Sequence, residues 1–113
     1  MLTMAPDQPE VTGLYVDHGL FIKEHLVRRA GMALPQHSHS FAHVSGIVAG
    51  GVRLFKDGVL VGDFMAPSRV VIEAHAKHLF VTLAPDTVIW CIHASASGEE
   101  PDIYEDHQIV EAV

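Results

Sequence analysis

Three histidines lie within seven consecutive positions of this sequence, at His37, His39 and His43, in the stretch "GMALPQHSHSFAHVSG". In an extended strand, residues two apart point to the same face, so His37 and His39 project side by side. His43 follows across a bend or at the start of the next strand and can converge on the same point. Imidazoles gathered without a metal would bury groups that cannot satisfy one another, at roughly 1–3 kcal/mol for each unpaired group. Neutral imidazole is a good ligand for Zn, Fe, Ni and Cu, so the cluster predicts a metal site.

Composition and charge limit the classes of protein to which the chain can belong. Its 113 residues predict one domain, and a hydrophobic fraction of 49% predicts a folded core. A net charge of -7 without a basic cluster argues against nucleic acid and against an anionic membrane surface as partners. No apolar run is long enough to span a membrane, and the N-terminus lacks the features of a signal peptide. Cys91 is the single cysteine, so no internal disulfide can form, and we expect a cytoplasmic protein.

Short apolar segments separated by turn residues predict an all-β fold, an antiparallel sandwich or barrel. The Asp57-Gly58 pair predicts a tight hairpin, and Asp17-His18-Gly19 predicts another. We expect a flexible arm over residues 1–10, a barrel over 11–94 and an acidic tail over 95–113. Within the barrel the pattern predicts strands at 11–17, 20–28, 33–37, 41–49, 52–56, 59–65, 69–74, 77–84 and 87–94.

The spacing of the histidine cluster is similar to that of a known family. Gly31, His37, His39, His43 and Gly50 match every interval of the first cupin motif, G-x5-H-x-H-x3,4-E-x6-G. The chain departs from that motif in one respect, since His43 stands where most cupins have glutamate.

The second cupin motif, G-x5-P-x-G-x2-H-x3-N, is best matched by "VIEAHAKHLFVT" at residues 71–82. His78 falls at the ligand position there, although His75 remains an alternative. Four other positions depart from the motif: Pro67, Glu73, His75 and Thr82.

The resemblance implies a jelly-roll barrel of six to eight strands with one divalent metal (Fe, Mn, Zn or Ni) held by His37, His39, His43 and His78. An all-histidine site keeps the full charge of the cation, which favours an anionic or oxygenated small molecule as substrate. Activities in the family include Fe(II) dioxygenases and Lewis-acid lyases and isomerases. The alternative is a non-catalytic module that binds metal or a small ligand.

Apolar positions near residues 11–28 would leave an edge exposed, and small cupins commonly pair by such edges, so we expect a homodimer.

Several further residues have two interpretations each. Cys91 and His93 share one face of a strand; if that face is inward, His93 is either an acid–base group or a hydrogen-bond partner of a ligand, and otherwise it caps the strand end. We expect Cys91 to be an inert small hydrophobe.

The charged residues that either line the cavity or solvate the sheet are Glu24, Arg53, Arg69 and Glu73. Three histidines are expected in a turn, on a strand surface and in the tail: His18, His25 and His107. The aromatic residues expected in the core are Phe41, Phe55, Phe64, Phe80 and Trp90.

Overall fold

Short runs of β-branched and aromatic residues make this chain an all-β protein. The structure, a computed structural model, describes residues 9–36 and 42–94. Within them the chain forms nine strands and no helix, and each predicted strand end agrees with the structure to within two residues. The strands are β1 (Glu10–Asp17), β2 (Leu20–Val27), β3 (Ala33–Gln36), β4 (His43–Ala49), β5 (Gly51–Lys56), β6 (Val59–Met65), β7 (Ser68–Ile72), β8 (His78–Thr82) and β9 (Thr87–Ala94).

The strands form two antiparallel sheets, which confirms the predicted fold class. One sheet has five strands in the order β1-β2-β9-β4-β7, and the other has four in the order β3-β8-β5-β6. The ninth strand arises because β1 adds an outer edge to the larger sheet beside β2. The predicted arm and tail lie almost wholly outside the described residues and remain predictions.

Two hairpins have the turn chemistry that the sequence predicts. Asp57 and Gly58 have φ values of 48° and 81°, and His18 and Gly19 have 50° and 76°. Two successive positive φ angles match the right-handed twist of the flanking strands, and glycine takes such an angle without steric cost. These turns fix the register of β5 with β6 and of β1 with β2.

The core lies between the sheets, where every second residue of the inner strands is buried. On β2, β4, β8 and β9 the burial pattern alternates with the pleat. Burial of each large apolar side chain stabilises the fold by about 1.5–3 kcal/mol. The central cluster consists of Leu34, Ile47, Val52, Leu54, Val70, Ile72, Phe80, Ile89 and Cys91.

The same alternation corrects one prediction about the core. Ile89, Cys91 and His93 point inward on β9, so Trp90 must point outward. Trp90 is only half-buried, and its Nε1 donates a hydrogen bond of 2.7 Å to Glu24 Oε2 on the outer surface. Of the remaining aromatic residues, Phe80 is fully buried, Phe55 and Phe64 are half-buried, and Phe41 lies outside the described residues.

In the part of the chain that the structure describes, no helix is long and apolar enough to cross a membrane.

Candidate functional site

A row of inward-facing residues crosses the larger sheet at one end of the barrel. Phe21 pairs with His93, and the neighbouring pair Val44–Ile92 brings His43 beside His93. The rings of His43 and His93 stack with centroids 4.3 Å apart, and the Phe21 ring also stacks with His93, at a centroid distance of 6.0 Å. Ile72 of β7 pairs with His43 and ends the row. Both histidines are therefore interior residues, which places His93 on the inward face.

His78 projects from the smaller sheet into the same interior. It is the first residue of β8 and is 4% exposed. Its Nδ1 lies 3.3 Å from the carbonyl oxygen of Ala76. Because a carbonyl oxygen only accepts, this contact requires the proton on Nδ1 and leaves the lone pair on Nε2. A metal-binding histidine has this arrangement, with one ring nitrogen held by a carbonyl and the other available to a cation.

An ion pair links the two sheets near these histidines. Glu73 follows Ile72, the partner of His43, and its carboxylate accepts a hydrogen bond from Lys56 Nζ. Lys56 in turn pairs with His78 across β5 and β8. The hydrogen bond from Lys56 lowers the pKa of Glu73, and the charge of Lys56 acts in the same direction. His43 and His78 therefore lie at the same end of the barrel, with the exposed Lys56–Glu73 pair at its rim.

Two of the four sequence-predicted ligands, His37 and His39, lie outside the described residues. Among the residues that are described, no group of three or more His, Cys, Asp or Glu side chains is arranged to hold a metal ion. Gln36, which precedes His37 in the sequence, pairs with His78 at the end of β3.

The alternative ligand His75 differs from His78 in position. His75 is exposed in the turn before β8 and has a φ of 62°. Three residues later the chain has entered the strand, and His78 is buried. Of the two candidates, only His78 faces the barrel interior in the structure.

Sequence reasoning missed two polar residues of the interior. His25 was expected on the strand surface, but it is 5% exposed on the inner face of β2, and Lys23 on the same face is also 5% exposed. The period-two pattern of β2 could have predicted their burial, because Phe21 and Val27 are apolar and lie on the same face of the strand as Lys23 and His25. Burial, together with the nearby Lys23 charge, lowers the pKa of His25 to about 4, and burial lowers the pKa of Lys23.

Below the histidine row, a second row contains Lys23, Cys91 and Ser45. Cys91 lies between the other two, since it pairs with Lys23 of β2 on one side and with Ser45 of β4 on the other. Cys91 is 3% exposed and belongs to the apolar core cluster, which supports its interpretation as a small hydrophobe.

Three of the four charged residues with two interpretations lie on the outer surface. Arg53 forms a bidentate pair with Asp63, at 2.8 and 3.0 Å, and Arg69 is exposed on β7. The carboxylate of Glu24 accepts hydrogen bonds from Trp90 and Thr12, which lower its pKa. Of these four residues, only Glu73 lies near the candidate site, at the rim.

His18 is exposed in its hairpin turn as predicted, and His107 lies outside the described residues.

Comparison with known proteins gives matches only at the level of structure. No protein-family model matches the chain, and no curated protein sequence matches it. KdgF from a Halomonas species superimposes with a TM-score of 0.62 at 17% identity, over 83% of this chain and 84% of that one. An RmlC-like cupin family protein with a double-stranded β-helix fold from Methanocaldococcus jannaschii gives a TM-score of 0.63 at 16% identity, over 83% and 86%.

The DMSP lyase DddQ from Ruegeria pomeroyi also matches, with a TM-score of 0.59 at 16% identity, over 71% of this chain and 40% of that one. Identities this low are evidence for the fold alone. They agree with the resemblance carried by the histidine motif, and the chain has the double-stranded β-helix barrel of the cupins.

Proposed function

We propose that this chain is a metal-dependent enzyme of cupin type that acts on a small anionic or oxygenated molecule. The divalent metal would be held by His37, His39, His43 and His78. One observation carries the proposal: His43 and His78 are buried at the same end of the barrel and come from opposite sheets.

The chemistry of the donors fits a divalent cation. His78 directs Nδ1 toward the Ala76 carbonyl, which leaves Nε2 as the lone-pair atom. His43 is 5% exposed and stacks on His93, so its ring is held by packing. Buried neutral imidazoles are suitable ligands for Fe, Mn, Zn and Ni, and the choice among these metals is set by geometry and availability.

The short connection between β3 and β4 supports the inclusion of His37 and His39 among the proposed metal ligands. Gln36 pairs with His78, and His43 begins β4 only seven residues after Gln36 in the sequence. The connecting segment, which contains His37 and His39, therefore joins a residue beside one proposed ligand to the other proposed ligand.

When bound, Fe(II) would supply oxygen activation, and another divalent ion would supply Lewis acidity. The remaining work falls to residues of the chain. His93 holds the His43 ring in place by stacking, and its position in the same row makes it a candidate acid–base group. Ile72 and Cys91, which belong to the apolar core cluster, pack beside the row. Four neutral histidines would leave the cation's charge uncompensated, which favours an anionic substrate.

The structural neighbour DddQ is a DMSP lyase, which is consistent with lyase chemistry in this fold, although a shared fold does not fix the reaction. We therefore propose a dioxygenase, lyase or isomerase; oxygen uptake distinguishes the first from the other two, and the product formed distinguishes a lyase from an isomerase.

The test is elemental analysis of protein purified without chelator, with His78→Ala and His75→Ala as a matched pair. We expect about one divalent ion per wild-type chain, the same content in His75→Ala, and a severalfold lower content in His78→Ala. Oxygen-uptake and substrate screens then follow with the native metal restored. Equal metal content in the two variants would contradict the site, and stoichiometric metal without turnover of any substrate would favour the non-catalytic binding module.

A further inference from the structure

The polar residues of the second interior row have a chemistry that the metal site does not use. Lys23 is a cationic side chain that is 5% exposed on the inner face of β2. Ser45, on β4, is fully buried, and its Oγ has no hydrogen-bond partner among residues 9–36 and 42–94. His25, one step along β2 from Lys23, has a buried Nδ1 that likewise has no partner in the described part of the chain.

Burial of Ser45 Oγ and His25 Nδ1 without partners in the described part of the chain is unfavourable. An unsatisfied buried polar group costs about 1–3 kcal/mol. Apolar residues of similar size would fit a core that needed only packing. The retained hydroxyl and imidazole nitrogen therefore point to a ligand that completes their hydrogen bonds.

The register places Lys23 and Ser45 on either side of one residue, and His25 lies two residues along β2 from Lys23. Cys91 lies between Lys23 and Ser45, so their Cα atoms are two strand spacings apart, roughly 10 Å. The long lysine side chain and the serine hydroxyl can both reach a group of two or three atoms lying over Cys91. A carboxylate has this size, and its two oxygens accept hydrogen bonds from an ammonium and a hydroxyl at once.

The row of Lys23, Cys91 and Ser45 also lies close enough to the His43–His93 row for one small molecule to contact both. His93 and Cys91 are two residues apart on β9, so the rows are separated by about 6.8 Å. A small molecule whose reacting end lies at the His43–His93 row, and whose carboxylate lies several bonds from that end, would place the carboxylate at the level of Lys23 and Ser45.

We propose that Lys23 and Ser45, with His25 beside them, form an anion subsite that binds the carboxylate of a small dicarboxylate or keto-acid substrate. This inference rests on the proposed function, because it identifies the substrate class of the same interior site. Lys23 supplies the charge, and Ser45 donates from its hydroxyl. His25, which remains neutral near pH 7, donates or accepts one further hydrogen bond according to its tautomer.

The test uses malonate as the probe and malonamide as its neutral counterpart, with binding to the full-length, metal-replete protein measured by titration calorimetry. We expect malonate to bind at least tenfold more tightly than malonamide, since a hydrogen bond to a charged group is worth roughly a factor of ten to a hundred. Lys23→Met should lower malonate affinity at least tenfold and remove the preference over malonamide. Ser45→Ala should lower malonate affinity severalfold.

Two further variants control for charge and folding. Arg53→Met removes a positive charge from the outer surface and should leave malonate affinity unchanged. Lys23→Arg retains the charge and should retain the preference for malonate, and circular dichroism establishes that each variant is folded.

The proposal is overturned if wild-type protein does not bind malonate, if malonamide binds equally well, or if Lys23→Met binds malonate as wild type does. Metal content is measured on the same samples. Lys23-dependent malonate binding by a protein without metal would support the anion subsite and contradict the proposed function. Normal metal content together with unchanged malonate affinity in Lys23→Met would support the proposed function and contradict the anion subsite.

Discussion

His43 and His93 stack across the β4–β9 strand pair, with ring centroids 4.3 Å apart and ring planes inclined by 30°. Two imidazoles from different strands therefore restrain each other within the barrel. If His43 binds metal, the orientation of its ring depends on His93. The structure thereby links a residue of the first cupin-like motif to one that belongs to neither motif.

Replacing His93 with phenylalanine should weaken metal binding without abolishing it. Phe retains the stacking partner of His43 but removes both ring nitrogens, and loss of such a supporting group typically lowers metal affinity by about 10–100-fold. The measurement is a titration against a competing chelator of known affinity. His18→Phe, in an exposed turn, is the control and should match wild type. Unchanged affinity in His93→Phe would assign His93 a packing role only.

His43→Glu should retain more metal than His43→Ala. Glutamate restores the ligand that the cupin motif usually has at this position, and its anionic oxygen can reach the cation that the His43 nitrogen would bind. Alanine removes the ligand and also opens a cavity beside His93. The measurement is metal content after dialysis against metal-free buffer. If the two variants lose metal equally, position 43 does not contribute a ligand.

Much of the fold follows from local patterns in the sequence. Turn pairs such as Asp57-Gly58 fix the hairpins, and period-two alternation identifies both β9 faces once the inward face is known. The burial of Lys23 and His25 did not follow from residue type, because lysine and histidine usually lie at the surface. Their phase with Phe21 and Val27 carried that information.

The pairing of strands distant in sequence was not predictable from local patterns. Lys23, Cys91 and Ser45 lie on strands far apart in the chain, and only the order β2-β9-β4 brings them into one row. For the same reason, spacing alone left His75 and His78 as alternatives, whereas the start of β8 separates an exposed residue from a buried one.

Cys91 should react slowly with a thiol reagent in the native protein and rapidly in denaturant. It is 3% exposed within the apolar cluster, so an aromatic disulfide, which is much larger than malonate, reaches its sulfur only when the barrel opens. The measurement is absorbance after addition of a chromogenic disulfide, with Cys91→Ser as the blank, since the chain has one cysteine. Rapid stoichiometric labelling of the folded protein would contradict the interpretation of Cys91 as an inert small hydrophobe.

We propose that the protein is a homodimer that pairs through β1. This strand is the edge of the larger sheet, and Leu14, Tyr15 and Val16 on it are 53%, 56% and 36% exposed. A second copy would cover these apolar side chains and the unpaired strand edge.

Light scattering should then give a mass near 25 kDa, twice the chain mass of 12.3 kDa. Leu14→Lys should shift the protein toward the monomer. Val59→Lys, on the opposite edge strand β6, should leave the mass unchanged. A mass near 12.3 kDa for wild type at micromolar concentration would contradict the dimer.

His25 should make the protein less stable as the pH falls from about 6.5 to 4. Burial lowers the pKa of His25 to about 4 in the folded state, from 6.5 when exposed. Between these values the unfolded chain binds a proton that the folded chain does not, so the free energy of unfolding rises with pH in this window. The difference between the two pKa values corresponds to about 3 kcal/mol of stability, which is present above pH 6.5 and is lost progressively as the pH falls to 4. His25→Leu removes the group and should flatten this part of the pH dependence, whereas the exposed His18→Leu should retain the wild-type slope. Urea unfolding of the three proteins at a fixed concentration, from pH 7.5 to 4.5, measures the difference. Parallel curves for wild type and His25→Leu would mean that His25 titrates normally in the folded barrel.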